Sequence, residues 1–515
     1  MIKEKEFKYP VFVPKDIDGF FGLFIDNLAN MIFIIGVCKF VLHFPDELVF
    51  GRIFPGIALS ILFGNWYYFE QARKLAKKEQ RTDVTALPYG INTPTVFAYL
   101  FLIMLPVYIK TGSVEITWYA GLAACFLSGV IEISGAWIGP LIRKITPRAA
   151  LLTTLGGVAI TFIAMTPTIR LFVHPTIGLI TISIILVGYF TKAKIPFGIP
   201  AGFLAVLVGT VLAWCFGLQD AAALKESFHP AFNKPVLSFK EVIEGLGLCM
   251  PYLSIIIPLA VMNFFGTMQC LESAAAAGDS YPTRSTMVVD GIGTTIGSLF
   301  GSCFPTTVYI GHPGWKSVGA RCGYSLLNGT VITIIVLFGL MKFFHYLIPE
   351  DAAGAILLYI GLIMMTQAYS VTPREHFPAV SIGFIPHMAA WLMTVIAGTL
   401  AAFSIQITPE TIDKLASGNI YITGISTLGG GSLLTSMIWV AILIEAIEHK
   451  FNKSAYWTIP AIILSYFGFI HADKLSYTWY TPNAQAALGY LIMGAFFLIL
   501  HETNKGDSQK KEAEA

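Results

Sequence analysis

Long apolar stretches follow one another along most of the chain, from about residue 18 to residue 501. Short segments that contain charged residues, proline or glycine separate them. Most stretches have roughly 17–25 residues, the length that an α-helix needs to cross about 30 Å of hydrocarbon. The pattern predicts an all-α polytopic membrane protein with about sixteen spans.

The predicted spans form two groups of seven and a final pair. The first group comprises residues 18–43, 52–70, 94–109, 116–140, 149–166, 171–190 and 198–217. The second group, after a polar loop, comprises residues 247–271, 285–301, 313–320, 324–347, 352–369, 380–404 and 431–448. The pair is predicted at 455–471 and 483–501, before a charged tail at 502–515.

Lysine and arginine are concentrated in alternate loops, at residues 71–81, 142–148, 191–194, 373–376 and 449–453. The positive-inside rule places these loops in the cytoplasm. The N-terminal segment 1–17 and the tail 502–515 fall on the same side. We therefore expect a plasma (inner) membrane protein with both termini cytoplasmic.

An odd number of spans in each group means that the second group enters the bilayer in the opposite orientation. Such inverted repeats are common among secondary transporters. Corresponding segments, TALPYGINTPTVFAYLF at 85–101 and SCFPTTVYIGHPGWKSVGAR at 302–321, introduce spans 3 and 10. In each, β-compatible residues around a tyrosine precede glycine and proline. Because proline fits the first turn of a helix, we predict short half-helices that begin near Pro94 and Pro313, with Thr93 as a cap.

Non-helical backbone at membrane depth must line a protein-enclosed cavity, because unpaired N–H and C=O groups in lipid cost several kcal/mol each. Two half-helices can direct their N-termini at one solute. We expect contacts from Asn92, Thr93, His312 and the Gly311 backbone. The alternative is that the prolines only kink ordinary helices.

Span 1 carries Asp26, Asn27 and Asn30 inside an apolar segment. Asp26 and Asn30 are four residues apart and share a helix face. Ionisable groups at the centre of a bilayer cost roughly 2.5–3.5 kcal/mol, so each is a functional candidate. We predict that the two asparagines contact solute and that Asp26 is a candidate for ion coupling.

Span 8 places Asn263, Gly266 and Thr267 on one stripe, with Gln269 and Glu272 turned away from it. Spans 1 and 8 correspond under the repeat, which brings both stripes to the half-helix tips. We predict that the stripe lines the solute site, the alternative being hydrogen bonds between helices. Glu272 is the second coupling candidate.

Glu132 in span 4 and Asp290 in span 9 are expected to pair with backbone groups or with Arg321. The glycines from Gly291 to Gly301 recur at spacings typical of helix packing, and they lack the lysine of a phosphate-binding loop. The seven cysteines form no CxxC pair, so we expect no metal and no cofactor.

Composition agrees with a membrane protein, since 55% of the 515 residues are hydrophobic and 12% are charged. An ordinary soluble domain has about 25% charged residues. The net charge of +2 comes without a basic stripe, which argues against nucleic acid as a partner. The expected partners are the lipid bilayer and a small solute.

Several motifs resemble the nucleobase:cation symporter (xanthine/uracil permease) family, and its hypoxanthine/adenine/guanine permease branch in particular. They are ALPYGIN, IPAGFLAVLVGTVLAW, NFFGTMQCL, DGIGTTIGSLFGS, PTTVYIGHPG and GARCG, within a resemblance over about 18–450. The resemblance implies a core domain of 18–140 and 247–347 that moves like an elevator. It implies a gate domain of 149–217 and 352–448, followed by extra helices at 455–501, and it allows a homodimer through the gate.

The chain departs from that family at two positions. The family's acidic residues in spans 8 and 10, which hydrogen-bond the base and take part in proton coupling, align with Gly266 and Gly311. Without these carboxylates the half-helix dipoles would be uncompensated, which makes an anionic solute more plausible.

We therefore keep three hypotheses from the sequence. The first is a permease for a purine-like nucleobase or related heterocycle, coupled to a proton or sodium. The second is an anion carrier of the same fold, of the sulfate, bicarbonate or organic-anion type. The third is a membrane enzyme or non-transporting protein. No nucleophile, base and metal ligand cluster in the sequence, so no enzyme is expected.

Overall fold

The structure is a computed structural model that describes residues 7–191, 193, 201–228, 230–348, 350–370, 372–403, 405–472, 475 and 481–514. Within these residues, six helical segments are long and apolar enough to cross a membrane. The pair Ile422–Gly429 and Ser432–Ile447, bent by 74°, would provide a seventh. Shorter apolar helices lie between them. The predicted class, an all-α polytopic membrane protein, is confirmed.

The first half of the chain consists of α1 Asp16–Phe40, α2 Asp46–Leu48, α3 Phe54–Glu79, β1 Tyr89–Ile91, α4 Thr93–Ala98, α5 Leu105–Thr111, α6 Val114–Gly135, α7 Gly139–Ile145, α8 Arg148–Val158, α9 Thr166–Leu171, α10 Pro175–Phe190 and α11 Ala201–Cys215. Wider π-helical turns join α2 to α3, α4 to α5 and α8 to α9, at Val49–Ile53, Tyr99–Met104 and Ala159–Met165. The half-helix α4 therefore continues through its π turn to Thr111.

The second half consists of α12 Ala221–Ser227, α13 Phe239–Cys249, α14 Leu253–Ala276, α15 Thr283–Leu299, β2 Thr306–Val308, α16 His312–Ser317, α17 Gly323–Leu337, α18 Met341–Leu347, α19 Glu350–Ser370, α20 Phe377–Gly383, α21 Ile385–Ala402, α22 Pro409–Ser417, α23 Ile422–Gly429, α24 Ser432–Ile447, α25 Phe451–Tyr466 and α26 Pro482–Glu514. Single 3₁₀ turns at Met250–Tyr252 and Arg374–His376 precede α14 and α20.

Every predicted span contains a helix, including both half-helices and the two C-terminal helices. The start of the span predicted at 198–217 and part of the loop 191–194 lie outside the described residues, as do residues 1–6 of the N-terminal segment. The basic loop predicted after span 2 is instead the last part of α3, because lysine, arginine, glutamate and glutamine are good helix formers. Similarly, α26 continues into the predicted tail.

The described residues form two compact units. One consists of Met1–Pro140 and Phe162–Met364, and it holds both half-helices, both strands and helices α1, α3, α6 and α14–α17. The other consists of Leu141–Thr161 and Met365–Ala515. In this second unit α8 packs on α24, where Thr154 Oγ1 hydrogen-bonds Ser436 Oγ at 3.1 Å, and α25 packs on α26. The division into core and gate that the family resemblance implies stays a prediction.

The strands β1 and β2 pair antiparallel inside the first unit. Tyr89 lies opposite Val308, and Ile91 lies opposite Thr306. Two further backbone bonds, Asn92 N to Pro305 O at 2.9 Å and Tyr309 N to Pro88 O at 2.7 Å, extend the ladder at both ends. Each non-helical segment thereby satisfies the backbone groups of the other, as burial requires.

Glycines allow α15 to approach its neighbours, as the sequence predicted. Gly291 faces the Gly129 region of α6, where an added Cβ would lie 2.6 Å from the Gly129 carbonyl oxygen. Gly293 faces Tyr89 of β1, where an added Cβ would lie 2.1 Å from the tyrosine hydroxyl oxygen. Small residues thus bring helix and strand into direct backbone-level contact.

We predict that Gly293→Ala lowers the apparent Tm of the detergent-solubilised protein. The added methyl must displace Tyr89, whose hydroxyl hydrogen-bonds Thr306 Oγ1 at 2.7 Å, and such overpacking typically costs 1–3 kcal/mol. Gly36→Ala in α1 is the matched control, because nothing lies within 4 Å of a Cβ there and alanine favours a helix by about 1 kcal/mol. Equal Tm values for the two variants, measured by a thermal shift assay, would contradict the packing.

Candidate functional site

The half-helix α4 is capped by Asn92. Its Oδ1 accepts hydrogen bonds from the Thr95 backbone N at 3.0 Å and from Thr95 Oγ1 at 2.8 Å. The prediction that Thr93 is the cap is wrong, because the extended backbone at Asn92 suits a cap and asparagine caps at least as well as threonine. Thr93 is instead the first residue of the helix. Its Oγ1 lies 3.2 Å from the hydroxyl of Tyr309, which follows β2.

The half-helix α16 begins after Gly311, whose φ of 127° is open only to glycine at low cost. An added Cβ would also lie 1.8 Å from the ring of Trp315. That ring is fixed, because its Nε1 donates a 2.6 Å hydrogen bond to the Gly19 carbonyl. A side chain at position 311 is therefore excluded by geometry, and this tip offers only backbone groups. The contact of the Gly311 backbone with solute stays a prediction.

Asp290 of α15 anchors strand β2. Its Oδ2 accepts hydrogen bonds from the Val308 backbone N at 2.9 Å and from Thr307 Oγ1 at 3.2 Å, and its Oδ1 accepts one from the Tyr68 hydroxyl. Thr267 Oγ1 lies 3.0 Å from the same Oδ2. The carboxylate therefore holds the non-helical backbone in place from the side.

Glu132 of α6 connects α14 to the tip of α4. It accepts a hydrogen bond from Asn263 Nδ2 at 2.8 Å, and its Oε1 lies 3.0 Å from Thr267 Oγ1. Asn263 Oδ1 in turn accepts a hydrogen bond from Asn92 Nδ2. The expected pairing of Glu132 and Asp290 with backbone or Arg321 is thus right only for the backbone contact of Asp290. Sequence could not identify the partners of Glu132, which come from a helix more than a hundred residues away.

Helix α1 contributes a second polar group. The Tyr309 hydroxyl donates to Asp26 Oδ1 at 2.7 Å, and Asn30 Nδ2 donates to the Asp26 backbone carbonyl at 3.1 Å. Asn27 Oδ1 accepts from the Ile91 backbone N at 3.0 Å, so this side chain supports β1. The structure thus brings Asp26, Asn27 and Asn30 to the strand crossing, as predicted, although Asn27 is engaged with backbone.

Two residues of α14 stand beside a gap. An added Cβ at Gly266 would meet nothing within 4 Å. Gln269 lies three residues further on, and residues three apart on a helix are neighbours. Gln269 is fully buried, and among the described residues neither its amide oxygen nor its amide nitrogen has a hydrogen-bond partner. Helical spacing alone does not identify Gln269, because whether a buried amide has a partner depends on the packed structure.

His312 has a different environment from the one predicted. Its Nε2 lies 3.0 Å from the Thr85 carbonyl oxygen and 3.2 Å from Asp279 Oδ2, and the side chain is 2% exposed. Lys316 and Arg81 also bind Asp279, at 2.6 and 2.9 Å. Burial raises the pKa of Asp279, but the bonds from His312 and Lys316 hold that pKa down at about 2. His312 Nε2 thus connects α16 to Asp279 and to the loop before β1, while Nδ1 has no hydrogen-bond partner among the described residues, and the contact of His312 with solute stays a prediction.

The remaining coupling candidate, Glu272, is half-buried on α14, five positions beyond Thr267. Its role stays a prediction. Asp26, Glu132 and Asp290 bring three carboxyl groups to the region of the half-helix tips, and none of their hydrogen bonds within the described chain comes from lysine or arginine. The site is therefore rich in acceptors, hydroxyls and amides.

Two half-helices that begin at a buried strand crossing, in a polytopic helical bundle, define a membrane protein of the broken-helix transporter type. The xanthine/uracil permease model, described as the permease family, matches residues 82–375, which is more than half of the chain. The chain belongs to this family and is an integral, multi-pass membrane transporter of a small solute. Among curated proteins, none matches it.

Two solved structures are similar to this chain. One is titled "The transmembrane domain of a cyanobacterium bicarbonate transporter BicA", with 10% identity and a TM-score of 0.38, covering 84% of this chain and 99% of that one. The other is titled "The overall structure of SLC26A9", with 12% identity and a TM-score of 0.37, covering 76% of this chain and 66% of that one. At these values neither similarity bears on the solute.

We predict opposite effects of alanine at the two glycines that replace the family's acidic residues. Gly266→Ala should preserve or raise stability, because its Cβ enters open space inside a helix and the helix gains about 1 kcal/mol. Gly311→Ala should lower stability by at least 1–2 kcal/mol, because of its positive φ and the Trp315 ring. Size-exclusion chromatography after graded heating measures both. Equal losses would show that the Gly311 geometry is not the constraint.

Proposed function

We propose that this permease transports a neutral, polar heterocycle of the purine nucleobase type, by elevator-like alternating access. The proposal takes the solute contacts to be Asn30, Asn92, Thr93, Asn263, Gly266, Thr267, Gln269 and His312, together with the Gly311 backbone and the support of Asn27. It takes the coupling ion to be a proton or sodium, and the location to be the plasma (inner) membrane with cytoplasmic termini, as a homodimer or monomer.

One observation carries the proposal, namely the unsatisfied amide of Gln269 beside the gap at Gly266. Leaving a buried polar group without a partner costs roughly 1–3 kcal/mol, so a ligand that satisfies it gains that energy. A carboxamide presents one acceptor and one donor side by side. Nucleobase edges present the complementary pair, which is why glutamine and asparagine bind adenine with two hydrogen bonds. A rotation of the flexible Gln269 side chain toward Gly266 would bring the two together.

The charges near the tips support a neutral solute over an anion. Asp26, Glu132 and Asp290 lie among the candidate contacts, while the basic residues Arg81 and Lys316 are bound to Asp279. A solute with negative charge would face uncompensated carboxylates in a low-dielectric site. A heterocycle with N–H donors would instead meet acceptors.

An anion carrier of the same fold is the second candidate. Its support is the convergence of two helix N-termini, whose N–H groups and dipoles favour negative charge. The acidic residues that oppose such a dipole elsewhere in this family are absent at Gly266 and Gly311. The carboxylates from α1, α6 and α15 weaken this argument, and for that reason we place it second.

We predict that the protein in proteoliposomes takes up labelled hypoxanthine, adenine or uracil, and does so faster with a proton or sodium gradient directed inward. Labelled sulfate and bicarbonate should not exchange. Empty liposomes provide the background. Gradient-independent anion exchange without purine or pyrimidine uptake would contradict the proposal and support the anion carrier.

We predict that Gln269→Leu raises the KM for the transported heterocycle about thirtyfold, since it removes two hydrogen bonds that each contribute roughly 1 kcal/mol. The matched control is Asn328→Leu on α17. Asn328 is equally buried, and both of its amide atoms also lack partners among the described residues, but it lies on α17, which packs on α3 and α1, and not on α14. Initial uptake rates against solute concentration give KM. Equal KM values for Gln269→Leu and wild type would exclude Gln269 as a contact.

A further inference from the structure

Two buried carboxyl groups share one hydroxyl at the centre of the first unit. Thr267 Oγ1 lies 3.0 Å from Glu132 Oε1 and 3.0 Å from Asp290 Oδ2. Both carboxyl side chains are fully buried. Two like charges this close in a low-dielectric interior are unfavourable, and such pairs commonly hold one proton between them.

The count of hydrogens agrees with the same arrangement, with Thr307 Oγ1, 3.1 Å from Thr267 Oγ1, donating its own hydrogen to Asp290. The Thr267 hydroxyl has one hydrogen, so it can donate to only one of the two carboxyl groups. If Glu132 is protonated, its O–H donates to Thr267 Oγ1, and the Thr267 hydrogen is then donated to Asp290. If Glu132 is ionised, one of the two contacts joins oxygens with no hydrogen between them. The 3.0 Å distances on both sides therefore fit a protonated Glu132.

The proton belongs on Glu132 rather than on Asp290. Asp290 receives hydrogen bonds from the Val308 backbone N, Thr307 and Tyr68, and donors of this number stabilise an ionised carboxylate. Within the described part of the chain, Glu132 accepts a side-chain hydrogen bond from the Asn263 amide alone, besides its contact with the shared hydroxyl.

No positive group compensates Glu132 among the described neighbours. The groups that face it are Asp290 from α15, Tyr89 from β1 and the neutral Asn263 and Thr267 from α14. The acidic residues of α13, Glu241 and Glu244, interact electrostatically with Tyr119, which lies near the start of α6. The protonation of Glu132 therefore depends on one neighbouring carboxylate and on its hydrogen bonds, because no described cation beside it stabilises the ionised form.

We infer that Glu132 binds the coupling proton of this transporter. The inference rests on the proposed transport of a neutral solute. The chain Glu132–Asn263–Asn92 links the carboxyl group to the cap of α4, so a change of charge at Glu132 acts directly on the tip of the half-helix. Glu132 takes one proton from water on one side of the membrane when one solute binds. It returns that proton to water on the other side when the solute is released. Transport of a neutral solute then moves one positive charge.

The test is Glu132→Gln in proteoliposomes. The labelled solute is whichever of hypoxanthine, adenine and uracil the wild-type protein transports in counterflow. Glutamine keeps the shape and can still accept from Asn263 and donate to Thr267, but it carries no exchangeable acidic proton. We expect accumulation driven by an acidic exterior to fall to an inside-to-outside ratio of about one, while counterflow remains measurable at a reduced rate. Accumulation by Glu132→Gln at the wild-type level overturns the inference.

Glu115→Gln is the matched control, because Glu115 lies exposed in the first turn of the same helix. It should accumulate solute as wild type does.

A measurement on wild type alone tests the inference if Glu132→Gln does not fold. External pH is then recorded with a pH-sensitive dye during uptake. External pH should rise as solute enters, and uptake should increase with an inside-negative potential. Solute uptake without proton movement, or driven only by sodium, overturns the inference, whereas a wild type without counterflow of any of the three heterocycles contradicts the proposed function itself.

Discussion

The structure depends on the pairing of two three-residue strands in the middle of a helical bundle. Residues 89–91 and 306–308 leave their helical paths at membrane depth, where water cannot satisfy the backbone. Each strand is the hydrogen-bond partner of the other. Because every unpaired group would cost several kcal/mol, neither broken helix could exist without its counterpart from the other half of the chain.

The crossing is held laterally by side chains as well as by its own ladder. Asp290 binds the Val308 backbone N, Asn27 binds the Ile91 backbone N, and Asn65 Nδ2 donates to the Tyr89 carbonyl oxygen at 3.0 Å. These three come from α15, α1 and α3. Polar residues that look costly in isolated apolar helices are therefore required, because they complete the hydrogen bonds of the two short strands.

Sequence predicted the helices and the break points well, because both depend on local chemistry. Apolar length defines a span, and Pro94 and Pro313 mark the beginnings of the half-helices. It misplaced the cap by one residue, since asparagine and threonine both serve. It did not predict the partners of Glu132 or the ion pairs of His312, because those depend on helices distant in sequence. The open space beside Gly266 was equally unpredictable, because it depends on how the helices pack.

The two glycines that separate this chain from its family have different physical origins. Gly311 is required by its backbone and by Trp315, so no side chain could stand there in this structure. At Gly266 an added Cβ meets nothing within 4 Å, so packing does not require a glycine there. The sequence suggested that both tips lack compensating carboxylates. Carboxyl groups from other helices lie there instead, Asp26 next to Tyr309 and Glu132 next to Asn263. In the proposed function, hydrogen-bond acceptors therefore reach the site from positions other than the family's two acidic residues, because helices α1 and α6 carry them.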